Sequence, residues 1–359
     1  MKKQLFVAQN LHIGGVQKAL VNHLKTLSAE DDITLFTFGG GPLLKEIPAF
    51  IKVTRGKRLL RLVATPMQEV LQSRNILDIA LRVSLVIAVR LIGSQQLYRR
   101  LLRGYCSEYF DVAISYFNDV PNNYFNQGTN LFVSEFVQAR KKIAWIHPDP
   151  IRANFDPEYC RRIYRNFDRI VCDSRAVEEN FHKLVPEYAE KTEVIYNFIP
   201  VEEVRALACA EYPYSGEKFH IVTVGRVDNA SKRMDGIIRV CARLQSEGIS
   251  DFQWHIVGNG PDLPGNQQLA RDLGVADLVC FEGEQINPFP YIRHAHLFAL
   301  YSAYEGFPMV IGEAQALGTF ILTTNYAAAK EQISPEQGII AQTDEDFYQE
   351  LKRLILCRS

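Results

Sequence analysis

Gln4-Leu5-Phe6-Val7-Ala8-Gln9 runs through Asn10-Leu11-His12 to Ile13-Gly14-Gly15, and then into residues 16–27, where Val16, Ala19, Leu20, Leu24 and Leu27 are apolar. The first six residues read as a strand, and the spacing of the last five marks one face of a helix. Residues 33–38 return to a strand-like run. Strand, glycine loop, helix and strand together open an α/β domain with a parallel sheet, whose ligands gather at the carboxyl ends of its strands. Residues 111–116, 142–146 and 169–172 continue the pattern as short β-rich runs. The rhythm lapses over 194–215, which predicts a first domain of residues 1–200 and a second of 201–359.

The alternation restarts at residues 219–224, followed by Gly225-Arg226, a helix over about 235–245, and a strand at 253–257 ended by Gly258-Asn259-Gly260-Pro261. Further strands are expected at 278–281, 297–301 and 320–323. The last helix, 344–356, has Thr343 as its cap and is expected to pack back on the first domain.

A chain of 359 residues exceeds one ordinary core, so two domains are natural. Apolar content of 47% and charged content of 23% describe a globular protein. The seven cysteines are odd in number, scattered and never in a CxxC pair, which suits a reducing compartment and suggests neither a disulfide framework nor a zinc site. The amino terminus runs straight into the first strand, without the apolar core and cleavage site of a signal peptide.

Formal net charge is only −1, yet residues 52–103 carry eleven basic residues against Glu69 and Asp78. This segment includes the apolar run 80–93, interrupted by Arg82 and Arg90, too short and too charged to span a bilayer. Two readings fit: a basic amphipathic segment lying on an anionic membrane surface, or a solvated basic face over a core-facing helix. Few aromatics for stacking and no recognisable binding module argue against nucleic acid.

The stretch Glu305-Gly306-Phe307-Pro308-Met309-Val310-Ile311-Gly312-Glu313 bears most directly on chemistry. A helix starting near Pro308 would aim the amides of Gly306, Phe307 and Met309 outward, and such an end attracts a diphosphate. Glu305 would sit just before that anion site and Glu313 roughly 7 to 8 Å along the helix axis, at about 1.5 Å per residue. A nucleotide sugar has a diphosphate between two vicinal diols, and a carboxylate accepts two hydrogen bonds from a diol. Taken alone, the pair reads by default as two solvated glutamates.

Arg226 follows its strand directly and Lys232 lies in the next loop or first helical turn, where two cations could neutralise a diphosphate leaving group. Arg233 beside them reads as peripheral. Gly14 and Gly15 allow close backbone approach to a ligand. His147 ends a buried-looking strand, as either a structural or a site residue. Asp149 could orient an acceptor hydroxyl or start a turn. Asp344-Glu345-Asp346 spells Asp-x-Asp, but acidic residues in a first helical turn serve its dipole, so no metal site is read there.

Gly225-Arg226-Val227, Lys232 with Asp235, Val257-Gly-Asn-Gly-Pro261, Asn287-Pro288 and Ser302-Ala-Tyr-Glu-Gly-Phe-Pro308 through Glu313-Ala314 occur in the order found in family 4 glycosyltransferases. With Gly14-Gly15 and Trp145-Ile-His147, the chain resembles that family over most of its length outside 52–103, and is similar to bacterial enzymes that build capsular, exopolysaccharide or lipopolysaccharide chains. The resemblance implies a GT-B fold, two Rossmann-like α/β/α domains facing across a cleft. It implies a retaining transfer of a hexose or N-acetylhexosamine from a nucleotide diphosphate donor, most simply UDP-linked, to a lipid-linked saccharide. No metal or other cofactor is implied. Arg226 and Lys232 would hold the diphosphate, with Gly14, Gly15, Gly225, Gly306, Phe307, Pro308 and Met309 lining it. Glu313 would take the ribose, Glu305 the hexose, and His147 the region of the reacting carbon. The implied location is the cytoplasm, peripheral to the inner membrane face.

The chain departs from the family pattern at Gln17, where relatives carry Glu, and at Thr319-Phe320 and Ala327-Ala-Ala-Lys330-Glu331, which lack the usual Pro and glycines. A non-catalytic nucleotide-sugar-binding partner is therefore a rival reading. A nicotinamide-dependent oxidoreductase is a weaker rival, because its G-x-G-x-x-G fingerprint is missing.

Overall fold

The computed structural model describes residues 1–119, 125, 128–211 and 213–357. It divides into two compact units, Met1–Phe198 and Ile199–Ser359, so the break falls two residues before the expected boundary.

In the first unit, strands β1 (Lys3–Ala8), β2 (Asp32–Thr37), β3 (Lys52–Arg55), β4 (Tyr109–Ser115), β5 (Gln138–Ile146), β6 (Arg169–Cys172) and β7 (Thr192–Val194) form one sheet. Their order is β3-β2-β1-β4-β5-β6-β7, parallel throughout. The last four residues of β1, Leu5 to Ala8, are all buried, as expected of a central strand covered on both faces. The Gly15–Lys25 helix buries Ala19, Leu20 and Leu24, the residues whose spacing predicted it.

Segment 52–103 begins as part of this sheet, because β3 is its edge strand, paired with β2 from Thr34↔Lys52 to Thr37↔Arg55. Four helices follow: Arg58–Ala64, Met67–Gln72, Ile76–Ile92 and Ser94–Leu102. Their inner residues, among them Leu60, Val70, Leu85, Val89 and Leu102, join the main core of the unit. The segment is an integral layer of the first unit.

The second unit repeats the plan with β8 (Phe219–Val224), β9 (Phe252–Val257), β10 (Val279–Gly283), β11 (Leu297–Leu300), β12 (Ile321–Thr324) and β13 (Gly338–Ala341), in the order β10-β9-β8-β11-β12-β13. The chain reverses direction across the sheet between β8 and β11, and open α/β sheets bind ligands outside the carboxyl ends at such a switch point. Gly225-Arg226 follows β8, and the run from Ser302 to Pro308 follows β11.

The last helix, Asp344–Leu356, packs against β12 and β13, and its Phe347, Tyr348, Leu351 and Ile355 belong to the core of its own unit. Its apolar stripe is spent within this unit. No helix among the described residues is long and apolar enough to cross a membrane.

Candidate functional site

The loops after β8 and β11 meet through side chains. Lys232, in the short helix Asn229–Lys232, is ion-paired to Glu305, and Ser302 Oγ donates to the same carboxylate oxygen at 2.6 Å. Lys232 and Glu305 retain only 18% and 12% of their side-chain exposure, so the pair is largely withdrawn from water. The loops are also tied by their backbones, Ala303 N donating to Ser231 O at 2.8 Å. Thr324 Oγ1 donates to Ser302 O at 2.6 Å and braces that loop from β12. Arg226 is exposed and has neither a hydrogen bond nor an ion pair to any described residue.

The glycine motif after β9 serves this geometry. A Cβ on Gly258, where φ is +153°, would stand 1.9 Å from Gly225 O, and one on Gly260 would stand 2.2 Å from Val227 O. Gly225 N donates to Val257 O and Val227 N to Asn259 O, both at 3.0 Å. Two loops thus run in backbone contact at the sheet's carboxyl edge, which only glycine permits. Gly225 itself lies under the Lys232 side chain, 3.7 Å from its Cε to a Cβ built there.

The helix after Glu305 spans Met309–Leu317, with Pro308 as its N-cap and not its first residue, a shift of one from the expected start. Gly306, Phe307 and Pro308 lead into it, and the Met309 and Val310 amides have no acceptor within the helix by its geometry. Gln332 Nε2 donates to Pro308 O at 2.9 Å, and Tyr326 OH donates to Gln332 Oε1 at 2.7 Å. Side chains flanking the altered run 327–331 thus brace the helix start. Glu313, the fifth residue of the helix, is 3% exposed. Neither glutamate is the solvated surface residue that the spacing alone allowed.

Arg233 turns away from this group. It makes paired bonds to Asp344 at 2.7 and 2.6 Å and lies 4.2 Å from the centre of the Tyr301 ring. The Arg233 guanidinium holds the Asp344 carboxyl below its ordinary range. Asp346 completes a capping box with Thr343. Both acids of the Asp-x-Asp run thus have structural partners. His255, Cys280 and Glu282 lie within ligand reach of one another on β9 and β10, but His255 is already hydrogen-bonded to Glu282 at 2.7 Å and to His220 at 3.1 Å.

In the first unit, Gly14 caps the Gly15–Lys25 helix, and a Cβ on Gly15 would meet nothing within 4 Å, so that amide end is open. Gln17 Nε2 donates to Asn10 Oδ1 at 3.0 Å, and Gln17 Oε1 lies 2.5 Å from where a Gly14 Cβ would be, which folds the amide over the glycine. Gly41, at φ +147°, brings the next loop against Leu11, with Leu11 N donating to Gly40 O at 2.9 Å. The sequence reading did not single out Gly39-Gly40-Gly41, although three consecutive glycines after a strand were a visible signal.

His147 is 6% exposed. Its Nε2 lies 3.0 Å from Tyr116 O, so that nitrogen carries the proton, and Nδ1 stands 3.6 Å from Asp173 Oδ2. Trp145 and Tyr116 pack beside the ring. Burial pushes the Asp173 carboxyl up to about 6, against the opposing pull of His147. The sequence reading missed Asp173; the apolar run before it, ending at Cys172, hid its position at a strand end. Asp149 resolves as the start of a turn: its Oδ1 accepts from Ile151 N at 2.9 Å and Arg152 N at 3.2 Å, and its Oδ2 accepts from Asn180 at 3.1 Å. Ser302, quoted in the sequence only as the start of its motif, and Tyr326, which the sequence did not mark, also join the candidate site.

A family model described as glycosyl transferases group 1 matches residues 218–356. Among curated proteins, the chain is 27% identical over 200 residues to N-acetylgalactosamine-N,N'-diacetylbacillosaminyl-diphospho-undecaprenol 4-alpha-N-acetylgalactosaminyltransferase of Campylobacter jejuni, covering 54% of this chain and 52% of that protein. It is 29% identical over 161 residues to the lipopolysaccharide core biosynthesis glycosyltransferase LpsE of Rhizobium meliloti, covering 45% of each. The chain thus spans about half the length of these curated relatives. Among solved structures, HepE of Anabaena in complex with UDP and glucose superposes with a TM-score of 0.68 at 17% identity, over 100% of this chain and 90% of that one. WaaG, a glycosyltransferase involved in lipopolysaccharide biosynthesis, gives 0.61 at 15% identity over 98% and 90%. Residues 218–356 are therefore similar to the glycosyl transferases group 1 family, and the chain has the GT-B fold.

Proposed function

We propose that the chain is a retaining hexosyltransferase of bacterial surface-polysaccharide synthesis, moving a hexose or N-acetylhexosamine from a UDP-linked donor to a lipid-linked saccharide. The observation that carries this reading is the Lys232–Glu305 pair at the switch point of the second sheet, beside the start of the Met309–Leu317 helix and the unpaired Arg226. The donor diphosphate takes Lys232, Arg226 and the helix amides. Glu305, released from Lys232, accepts hydrogen bonds from the hexose, and buried Glu313 accepts those of the ribose.

In the transfer, the anomeric carbon loses its bond to the diphosphate oxygen and gains one to an acceptor hydroxyl oxygen, on the same face. The acceptor's proton passes to the departing phosphate. The protein supplies position and positive charge for the leaving group. No metal takes part, so activity withstands a chelator. The name of the Campylobacter jejuni relative, with its diphospho-undecaprenol acceptor, and the UDP in the HepE structure support the two substrate classes.

Transfer from radiolabelled UDP-sugars to a diphospho-polyprenol saccharide tests the reading, and a thermal-shift panel of UDP- and GDP-sugars selects the donor, since a true donor stabilises by mass action. Gln17 favours a second reading, a nucleotide-sugar-binding partner without turnover, because its amide is engaged with Asn10 where relatives place a carboxylate. Donor stabilisation without transfer or hydrolysis would establish that alternative.

A further inference from the structure

We infer that His255, Cys280 and Glu282 form a binding site for a divalent cation of the zinc class, which clamps the edge strand β10 to β9 and takes no part in the transfer. The three ligand atoms lie within 4.8 Å of one another. The parallel register sets Cys280 beside His255, so both side chains leave the sheet on one face. That register shifts between Phe281 and Gly283, which leaves Glu282 without a partner on β9. Such a bulge re-aims a side chain, and here the Glu282 carboxylate comes to 2.7 Å from His255 Nδ1. The face is the one turned away from Phe252, Trp254 and Ile256, which belong to the main core of the unit. Tyr214 roofs it, its ring centre 4.3 Å from that of His255.

The hydrogen bonds of His255 prepare this site. A carboxylate only accepts, so Nδ1 carries the proton shared with Glu282. With a cation on Nδ1 instead, the neutral ring keeps its proton on Nε2, where His220 Nδ1 lies 3.1 Å away to accept it. A metal-bound imidazole nearly always has such an outer partner. Binding then displaces only the Cys280 thiol proton to solvent. Sulfur, imidazole nitrogen and a carboxylate oxygen together select zinc-class cations over magnesium or calcium, which take oxygen ligands. At about 2.3 Å to sulfur and about 2.0 to 2.2 Å to nitrogen and oxygen, tetrahedral ligands stand roughly 3.4 to 3.6 Å apart, spacings that side-chain movements of roughly 1 Å reach from the present ones. His255 is almost wholly buried, whereas Glu282 keeps 25% of its side-chain exposure and Cys280 is half-buried, which gives the cation a way in and water a fourth position. Two neighbouring strands supply the ligands, so no CxxC spacing marks the site in the sequence. In the sheet order it lies on the far side of β8 from β11, the strand whose loop carries Glu305.

Cation uptake is measured without donor or acceptor, so its failure leaves the transferase reading standing. Titrating Co²⁺ into the reduced, metal-stripped chain should give a thiolate-to-cobalt charge-transfer band in the near ultraviolet that saturates at about one equivalent and is bleached by Zn²⁺ but not by Mg²⁺. Cys280→Ser should abolish the band, and Glu282→Gln should weaken Zn²⁺ binding roughly tenfold or more, at least the loss usual for an outer partner. Cys209→Ser and Cys357→Ser, at exposed thiols, should leave both unchanged. Zn²⁺ should raise the melting temperature of the parent and not that of Cys280→Ser. No band in the parent, a band that persists in Cys280→Ser, or a Zn²⁺ affinity unchanged by Glu282→Gln overturns the proposal. So does a band lost with Cys209→Ser or Cys357→Ser, which would make it adventitious thiol binding. If Cys280→Ser does not fold, Glu282→Gln, at a partly exposed position, decides alone.

Discussion

Lys232 and Glu305, 73 residues apart in sequence, form one ion pair at the carboxyl edge of the second sheet, and Ser302 shares the same oxygen of Glu305. The two groups neutralise each other in a partly buried setting. A donor that brings a diphosphate and a sugar offers each a replacement, an anion for the ammonium and hydroxyl donors for the carboxylate. On the proposed reading the pair is an exchange site that opens when both replacements arrive together.

Glu305→Gln keeps the shape and the bond from Ser302 but removes the charge that faces the sugar. Turnover should fall by about 100-fold, the order seen for loss of one group that stabilises a transition state, with a much smaller change in KM for the donor. Steady-state kinetics with the accepted UDP-sugar checks this. An equal rise in KM with unchanged kcat would move Glu305 to plain donor binding.

Glu313→Gln should show the opposite split. Its carboxylate is buried within the helix and, on the proposed reading, meets ribose hydroxyls that do not react. Charged hydrogen bonds of about 1.5 to 3 kcal/mol predict a weakening of UDP binding by roughly 10- to 100-fold, with kcat preserved at saturation. Calorimetric titration of UDP into both variants separates the two glutamates.

Much of this arrangement was legible in the sequence because it depends on local pattern. The central strands carry unbroken apolar runs, and their turns carry glycines, so β1, β8, β9 and β11 were found almost in place. β3 was missed because Lys52-Val53-Thr54-Arg55 is a largely exposed edge strand whose charges masked its pairing. The three-residue β7 fell below the length at which periodicity speaks, and β13, Gly338–Ala341, opens on a glycine that reads as a turn. The site residues divide in the same way. Gly258 and Gly260 announced a loop, but only the fold shows that the loop exists to touch Gly225 and Val227. The Lys232–Glu305 pairing and the burial of Asp173 depend on contacts between distant segments, which no local spacing encodes.

Those glycine contacts give a stability prediction. Gly258→Ala places a methyl 1.9 Å from Gly225 O at a φ of +153°, which L residues avoid, so the second unit should lose about 3 kcal/mol or more. Gly265→Ala is the control: it lies within the Leu263–Asp272 helix with nothing within 4 Å of the new Cβ, and should gain about 0.5 to 1 kcal/mol. Denaturant unfolding of the two variants should move in opposite directions. A neutral Gly258→Ala would mean that the two loops separate without cost.

Asp173 makes the stability of the first unit depend on pH in an unusual direction. A carboxyl raised to about 6 by burial binds its proton more tightly folded than unfolded, where it titrates near 4. It therefore contributes stability at low pH that is lost as pH rises from about 4 through about 6, and above that it is a buried charge with His147 Nδ1 3.6 Å away. Asp173→Asn keeps a hydrogen-bonding group there and removes the charge. The melting temperature of this variant relative to the parent should thus rise by several degrees between about pH 4 and about pH 7. His147→Gln in the parent should deepen the penalty at the upper end, because it removes the one nearby group that pulls the Asp173 carboxyl down by charge. A difference in melting temperature that is flat across this range would mean that the Asp173 carboxyl titrates as in the unfolded chain and that its burial is relieved by a route other than protonation.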